Sequence, residues 1–157
     1  MAQKILVALD DSSNAMRTVE FIAKIFSPSE NDITIFSVIP DTAALCDINS
    51  PELTPYFLTQ HSSFSQLEMQ KKQLIEVALK QAKEVLVQSG FDPDRIHLKI
   101  QTRIRGIARD IIEEAHEGYG IVVLGRRGLS GVQEFILGSV SQKVIHSIRD
   151  ISVLIVN

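Results

Sequence analysis

The sequence GRRGLSGVQEFILGSV occupies residues 125–140 and directly follows the apolar segment IVVL at residues 121–124. Four aliphatic residues that end abruptly in glycine are typical of a buried strand that runs into a glycine-rich loop. The apolar residues that recur after Gly138 have helical spacing, which indicates a helix after the loop. The segment therefore predicts a strand, a loop and a helix in succession.

This loop has features of a phosphate-binding site. In open α/β sheets, ligands bind outside the carboxyl ends of the strands, and a helix N-terminus presents unpaired N–H groups to anions. Gly125, Gly128 and Gly138 have no Cβ that would keep the backbone away from an oxyanion. The Ser139 hydroxyl can donate to the same oxygens. The loop contains neither G-x4-G-K-[ST] nor G-x-G-x-x-G, so, considered alone, it fits a phosphate site and an ordinary glycine-rich connection equally.

The rest of the chain continues the same alternation. Apolar or alternating segments predict strands at residues 5–9, 33–39, 96–100, 121–124 and 152–156, and four segments with helical periodicity lie between them. Strands that alternate with helices predict an α/β fold, a doubly wound five-stranded parallel sheet with right-handed crossovers. The polar alternation of residues 96–100 favours an edge position for that strand.

Asp10 follows the first predicted strand and is a candidate ligand contact. A carboxylate at the carboxyl end of a strand can accept hydrogen bonds from a ribose hydroxyl or an exocyclic amine, or help to hold a metal ion. It can equally cap the helix that follows. The spacing alone leaves both roles open.

A long loop is predicted at about residues 41–65, which contain Pro51, Pro55 and the pair Tyr56 and Phe57. Loops of this length are usually lids, interaction surfaces or disordered segments. The two aromatic side chains suit a cover over a nucleobase or a partner, but an anchor of the loop to the domain would need the same apolar side chains. A long helix is expected next, with an apolar stripe that begins at Leu67.

The composition limits the class of protein. A chain of 157 residues with 45% hydrophobic and 22% charged residues is expected to form one globular domain over residues 1–157. A net charge of -3 argues against sequence-independent nucleic-acid binding, which needs a basic face. We expect no membrane segment, and the lone cysteine, Cys46, favours a cytoplasmic location.

The sequence gives little support for catalysis. The four histidines lack metal-site spacing such as H-E-x-x-H, and no serine lies in a G-x-S-x-G turn. We therefore identify no catalytic residue and no metal ligand. Arg126 and Arg127 lie inside the glycine loop, where a guanidinium can neutralise phosphate charge or point into solvent.

The order Gly125-x2-Gly128-x9-Gly138-Ser139, placed before the last helix and strand, resembles the nucleotide-binding motif of the universal stress protein family. The opening residues KILVALDDS and the closing residues ISVLIV are also similar to that family. The resemblance covers essentially the whole chain and is weakest at residues 41–65.

The resemblance implies a Rossmann-like sheet with strand order 3-2-1-4-5, which would bring Asp10 and the glycine loop into one crevice. It implies ATP as the ligand, with or without Mg²⁺, and a homodimer that forms through the last strand at Val153, Leu154, Ile155 and Val156. The implied adenosine contacts are Ala8, Asp10 and Val38. The implied contacts around the loop and its phosphates are Leu124, Gly125, Arg127, Gly128, Gly138, Ser139 and Val140.

Three functions are consistent with this interpretation. The first is an ATP-binding stress-response or regulatory module that acts through nucleotide-dependent conformation or dimerisation, with an unknown protein partner. The second is a slow ATP hydrolase or a nucleotidyl-type transferase that uses the same crevice. The third is a nucleotide-free dimerisation module.

Overall fold

Five parallel strands form one sheet in the computed structural model, which describes residues 3–41, 54–126 and 137–157. The strand order is β3-β2-β1-β4-β5, as the resemblance implies, so the predicted fold class and topology are confirmed. The strands are β1 (Gln3–Ala8), β2 (Asn31–Ile39), β3 (Ile96–Thr102), β4 (Ile121–Gly125) and β5 (Ser152–Val156).

Four helices cover the two faces of the sheet. They are α1 (Ser13–Ile25), α2 (Thr54–Gln88), α3 (Ile107–Ala115) and α4 (Ser139–Ser147), and a short 3₁₀ helix (Pro93–Arg95) precedes β3. One buried cluster packs α1 and α2 against one face, and a second packs α3 and α4 against the other. This arrangement is the doubly wound architecture that the alternating pattern predicts.

The central strand shows why its sequence is continuously apolar. Ile5 and Val7 of β1 belong to the cluster under α1 and α2, whereas Leu6 belongs to the cluster on the opposite face. Successive side chains of a strand point to opposite faces, so a strand covered on both sides must be apolar at every position. β1 pairs with β2 on one side and with β4 on the other.

The expectation of a loop at residues 41–65 is wrong for its second half, which belongs to α2. This helix begins at Thr54, so the second half of the predicted loop is helical. Pro55, which we took as a loop residue, lies in the first turn, where the missing N–H has no intrahelical acceptor to lose. Residues 42–53 lie outside the described part of the chain, as do the side chains of Tyr56 and Phe57.

The two outer strands, β3 and β5, form the edges of the sheet, as predicted. The switch point lies between β1 and β4, because the chain leaves β1 towards one face and β4 towards the other. This is the position at which doubly wound sheets bind ligands. Across the three described ranges, every helix is too short or too polar to cross a membrane.

Candidate functional site

A cavity of about 320 Å³ opens at the carboxyl ends of β1, β2 and β4. Its walls come from these strand ends, from the first residues of α1, α3 and α4, and from the middle of α2. Its size lies at the lower end of the range of small-molecule sites in proteins. A cavity large enough for a small molecule therefore lies at the switch point of the sheet.

Eight of the ten predicted site residues line this cavity, although they come from parts of the chain more than a hundred residues apart. They are Ala8, Asp10, Val38, Leu124, Gly125, Gly138, Ser139 and Val140. The remaining two, Arg127 and Gly128, lie outside the described residues. The structure thus brings the acidic turn after β1 and the described ends of the glycine loop together.

Asp10 organises the turn between β1 and α1. Its Oδ1 accepts a hydrogen bond from the backbone N–H of Ser12 at 3.0 Å and another from the Ser12 hydroxyl. Ser12 is the N-cap of α1, so the carboxylate fixes the residue at which that helix begins. Among the described residues, the second oxygen, Oδ2, has no hydrogen-bond partner. Asp10 therefore combines a structural contact with an oxygen that is available at the cavity.

The described end of the glycine loop is held by backbone hydrogen bonds. Gly138 is the N-cap of α4, and its N–H donates to the Arg126 carbonyl at 2.9 Å. The first N–H groups of a helix have no intrahelical acceptor, and Ser139 is exposed at this end of α4. The helix terminus thus presents donors and a hydroxyl to the cavity, which is the chemistry that an anion requires.

Ser141 is a cavity residue that the sequence analysis missed. It is buried, and its hydroxyl donates to the Gly125 carbonyl at 2.8 Å. This bond ties the first turn of α4 to the end of β4. The signal in the sequence is a small polar residue three positions before the buried Val144, on the face of the helix that points to the sheet.

Arg126 points away from the cavity, which resolves one alternative of the sequence analysis. Its Nη1 donates to Oδ1 of Asn157 at 2.7 Å, and its backbone N–H donates to the Val156 carbonyl at 2.7 Å. The side chain thus connects the end of β4 to the end of β5. In this structure Arg126 neither contributes positive charge to the cavity nor fills it.

An apolar wall lines the side of the cavity that faces α3. Ile107 and Ile111 of this helix line the cavity together with Phe36 and Val38 of β2, and Ile111 packs in one cluster with these two residues. The sequence predicted these residues as helix or strand core and gave no sign that they reach the site. A flat, apolar ligand group is the chemistry that such a wall accommodates.

One ion pair contributes to the opposite side of the cavity. Lys71 of α2 binds both carboxylate oxygens of Asp11, at 2.7 and 2.6 Å. Both side chains are partly buried, and both line the cavity. In the described part of the lining, the remaining formal charge is therefore that of Asp10.

The fold and this site define a class of small doubly wound α/β domains with a cavity at the switch point of the sheet, and sequence comparison specifies the family. The model of the universal stress protein family matches residues 1–157. Universal stress protein Sll1388 of Synechocystis sp. is 32% identical over 157 residues, which cover 98% of this chain and 96% of the relative. Universal stress protein YxiE of Bacillus subtilis is 26% identical over 145 residues, 92% of each chain. The chain belongs to the universal stress protein family.

Solved structures of the family share the fold. Universal stress protein UspA from Lactobacillus plantarum superposes with a TM-score of 0.75 at 19% identity, over 99% of this chain and 97% of that one. A universal stress protein in complex with cAMP gives 0.62 at 21% identity, over 99% and 97% of the chains. The protein from Archaeoglobus fulgidus in complex with dAMP gives 0.56 at 16% identity, over 99% and 98%.

Proposed function

We propose that this protein is an ATP-binding stress-response module that binds the nucleotide in the cavity between β1 and β4. The observation that carries the proposal is the convergence of Asp10, Val38 and Gly138 on one cavity at the switch point of the sheet. The complexes of two structural neighbours with cAMP and dAMP support an adenine nucleotide as the ligand.

The adenosine part suits the side of the cavity that faces α3. The base would lie against the apolar wall of Ile107 and Ile111, close to the backbone of Val38. Oδ2 of Asp10, which has no partner in the described ranges, is available to accept a hydrogen bond from a ribose hydroxyl or to hold a water molecule of a bound Mg²⁺. Ribose recognition by an acidic residue at a strand end is a general feature of doubly wound nucleotide sites.

The phosphates suit the N-terminus of α4. Gly138 and Ser139 are placed there by the hydrogen bonds from Gly138 to Arg126 and from Ser141 to Gly125. A helix of nine residues has a positive N-terminal end that favours anions. Arg127 and Gly128 belong to this proposal on the basis of the family motif alone.

The proposed activity is binding rather than turnover, and it is coupled to dimer formation. Nucleotide occupancy would shift the population of a conformation that a partner protein recognises. The dimer would form through β5, since this strand lies at an edge of the sheet and its side chains are apolar. A cytoplasmic location also stays a prediction from composition.

Substitution of Gly138 tests the nucleotide site. The φ and ψ angles of Gly138, -56° and 151°, are allowed for any residue, so Gly138→Val adds bulk to the cavity lining without backbone strain. We expect calorimetry to give at least about a fivefold loss of Mg-ATP affinity, since overpacking costs about 1–3 kcal/mol.

The matched control is Gly120→Ala, just before β4 at the opposite end of the sheet. An added Cβ there meets the flexible Gln3 side chain, its Nε2 at 3.1 Å, so ATP affinity should stay within about twofold of the wild type. Equal affinity of the Gly138→Val variant and the wild type would overturn the proposed site. Metal-dependent turnover that disappears in Asp10→Ala would instead favour a slow hydrolase.

A further inference from the structure

The cavity extends to the face of the sheet that is covered by α1 and α2. Ile35 and Ile39 of β2 belong to the cluster under these helices. The Ser37 side chain points to the same face of the sheet, because alternate residues of a strand share a face. Ser37 lines the cavity, and so do Thr18 of α1 and Ile75 of α2. We call this part the second branch. Its lining residues are Leu9, Asp11, Ala15, Thr18, Ser37, Lys71 and Ile75.

Two hydroxyl groups in the second branch are buried and have no hydrogen-bond partner among the described residues. Thr18 is 1% exposed and Ser37 is 2% exposed, and within the described ranges neither hydroxyl makes a hydrogen bond. Buried polar side chains almost always have a partner, either a protein group, an ordered water molecule or a ligand. The hydroxyls therefore mark a place in the cavity where the described part of the chain supplies no polar partner.

The charges of the second branch indicate which kind of ligand group could bind the Thr18 and Ser37 hydroxyls. Lys71 and Asp11 neutralise each other, and the other lining residues are apolar or carry a hydroxyl. A charged ligand would be desolvated there without a counter-charge, which is unfavourable. Each hydroxyl can both donate and accept, so it suits a neutral group that also does both, such as an amide.

We propose that the second branch is a binding site for a small uncharged amide, separate from the nucleotide position. Leu9, Ala15 and Ile75 would contact the apolar part of the ligand, while Thr18 and Ser37 would bind its carbonyl and N–H groups. The inference does not depend on the proposed nucleotide function. The proposed site of the base lies on the other face of the sheet, where the β2 side chains are those of Phe36 and Val38.

Acetamide and acetate form a matched pair of probes, since they have nearly the same shape and differ in charge. The backbone and methyl signals of the full chain would be followed by NMR during titration with each probe at constant ionic strength. We expect saturable shifts at Thr18, Ser37 and Ile75 with acetamide, with a Kd on the order of millimolar for so few atoms. Acetate should bind at least about tenfold more weakly.

Variants separate binding in this branch from general effects. Thr18→Val keeps the shape and removes the hydroxyl, and Ser37→Ala does the same independently; each should weaken acetamide at least about fivefold. Thr18→Ser retains a hydroxyl and should stay within about twofold of the wild type. A spectrum with native dispersion checks that each variant is folded.

Three results would overturn the proposal. They are the absence of saturable acetamide shifts, equal binding of acetate, and unchanged acetamide affinity in both hydroxyl-free variants. Any of them would mean that water alone satisfies Thr18 and Ser37. A failure of ATP to bind in a separate titration would overturn the nucleotide proposal and leave the acetamide result standing.

Discussion

Two serines at the start of α4 differ in what their hydroxyls do. The Ser139 side chain is exposed at the cavity, whereas Ser141 is buried and bound to the Gly125 carbonyl. The first is placed to contact a ligand and the second to hold the site in shape. Sequence reasoning identified Ser139 from the family motif but could not separate the two roles, because burial depends on the helix's rotation against the sheet.

Alanine substitutions should separate these two roles. Ser141→Ala is expected to lower the free energy of unfolding by about 1–2 kcal/mol, because the partly buried Gly125 carbonyl loses its donor. Ser139→Ala should leave that free energy within about 0.5 kcal/mol of the wild type and weaken Mg-ATP several-fold. Urea unfolding and calorimetry measure the two quantities. The assignment would be wrong if Ser139→Ala were the more destabilising change.

Tyr119 gives a residue-scale prediction away from the cavity. Burial raises the pKa of its phenol, and the hydrogen bond that it donates to Glu114 at 3.0 Å acts in the same direction. The unfolded chain therefore releases this proton at a lower pH than the folded chain. The stability that Tyr119 contributes is fully present below about pH 10 and is lost as the pH rises through the folded-state pKa.

Tyr119→Phe removes this titration. The free energy of unfolding of the wild type should exceed that of the variant by about 1 kcal/mol at pH 8, because only the wild type makes the hydrogen bond to Glu114. Urea unfolding above pH 10 should show a smaller difference between the two proteins. A difference that is constant from pH 8 to pH 11 would contradict the raised pKa.

At the scale of elements, one buried carboxylate shapes the connection between β3 and α3. Asp110 is 1% exposed and accepts hydrogen bonds from the backbone N–H groups of Ile104 and Arg105, at 2.8 and 3.0 Å. These bonds fix the loop that leads into α3. The same helix presents Ile107 and Ile111 to the cavity, so the loop also sets the position of the apolar wall.

Asp110→Ala should therefore be costly. It leaves two partly buried N–H groups without their charged acceptor, and we expect a loss of about 1–3 kcal/mol in the free energy of unfolding. Asp110→Asn keeps one acceptor and should lose about half as much. Chemical denaturation measures both, and a loss below about 0.5 kcal/mol for Asp110→Ala would show that the loop is held by other contacts.

The elements also show how far the sequence determines the structure. The strands were predictable because a strand covered on both faces is apolar at every position, as at residues 5–8. The start of α2 was not, because Pro55 is compatible with both a loop and a first helical turn. The predicted stripe was also imprecise, since Leu67 is 56% exposed and Leu74 is 57% exposed. Only packing against β2 and α1 selects which face of α2 is buried.

In the site too, some residues could be predicted from the sequence, and others are placed only by packing. The end of the first strand indicated Asp10, the glycine loop indicated Gly138 and the family resemblance indicated Val38, and the fold brings all three to one cavity. The sequence did not identify Lys71, Thr18 or Ile111 as cavity residues. All three lie in helices with ordinary core patterns, and such a pattern does not indicate which helical residue lies beside the ends of the strands. The orientation of Arg126 was also beyond the sequence, since it depends on the partner Asn157, which follows β5.

For the whole molecule, the edge strand β5 predicts assembly. Val153, Leu154 and Ile155 are only partly buried in the single chain, and β5 has a strand partner on one side. Sedimentation at micromolar concentration should give a dimer. The double variant Val153→Lys and Ile155→Lys should be a monomer, because charges on an edge strand oppose pairing. A monomeric wild-type protein would contradict this assembly.

We expect a nucleotide to bind in the cavity at the switch point of the whole sheet. The most direct test is a titration of the isotopically labelled protein with Mg-ATP, followed by the NMR signals of the backbone amides. We predict saturable shifts, with one ATP per chain, that are largest at Asp10, Val38, Gly138 and Ser139. The absence of saturable shifts, or shifts confined to the distant surface of α2 at Lys80 and Lys83, would contradict the claim.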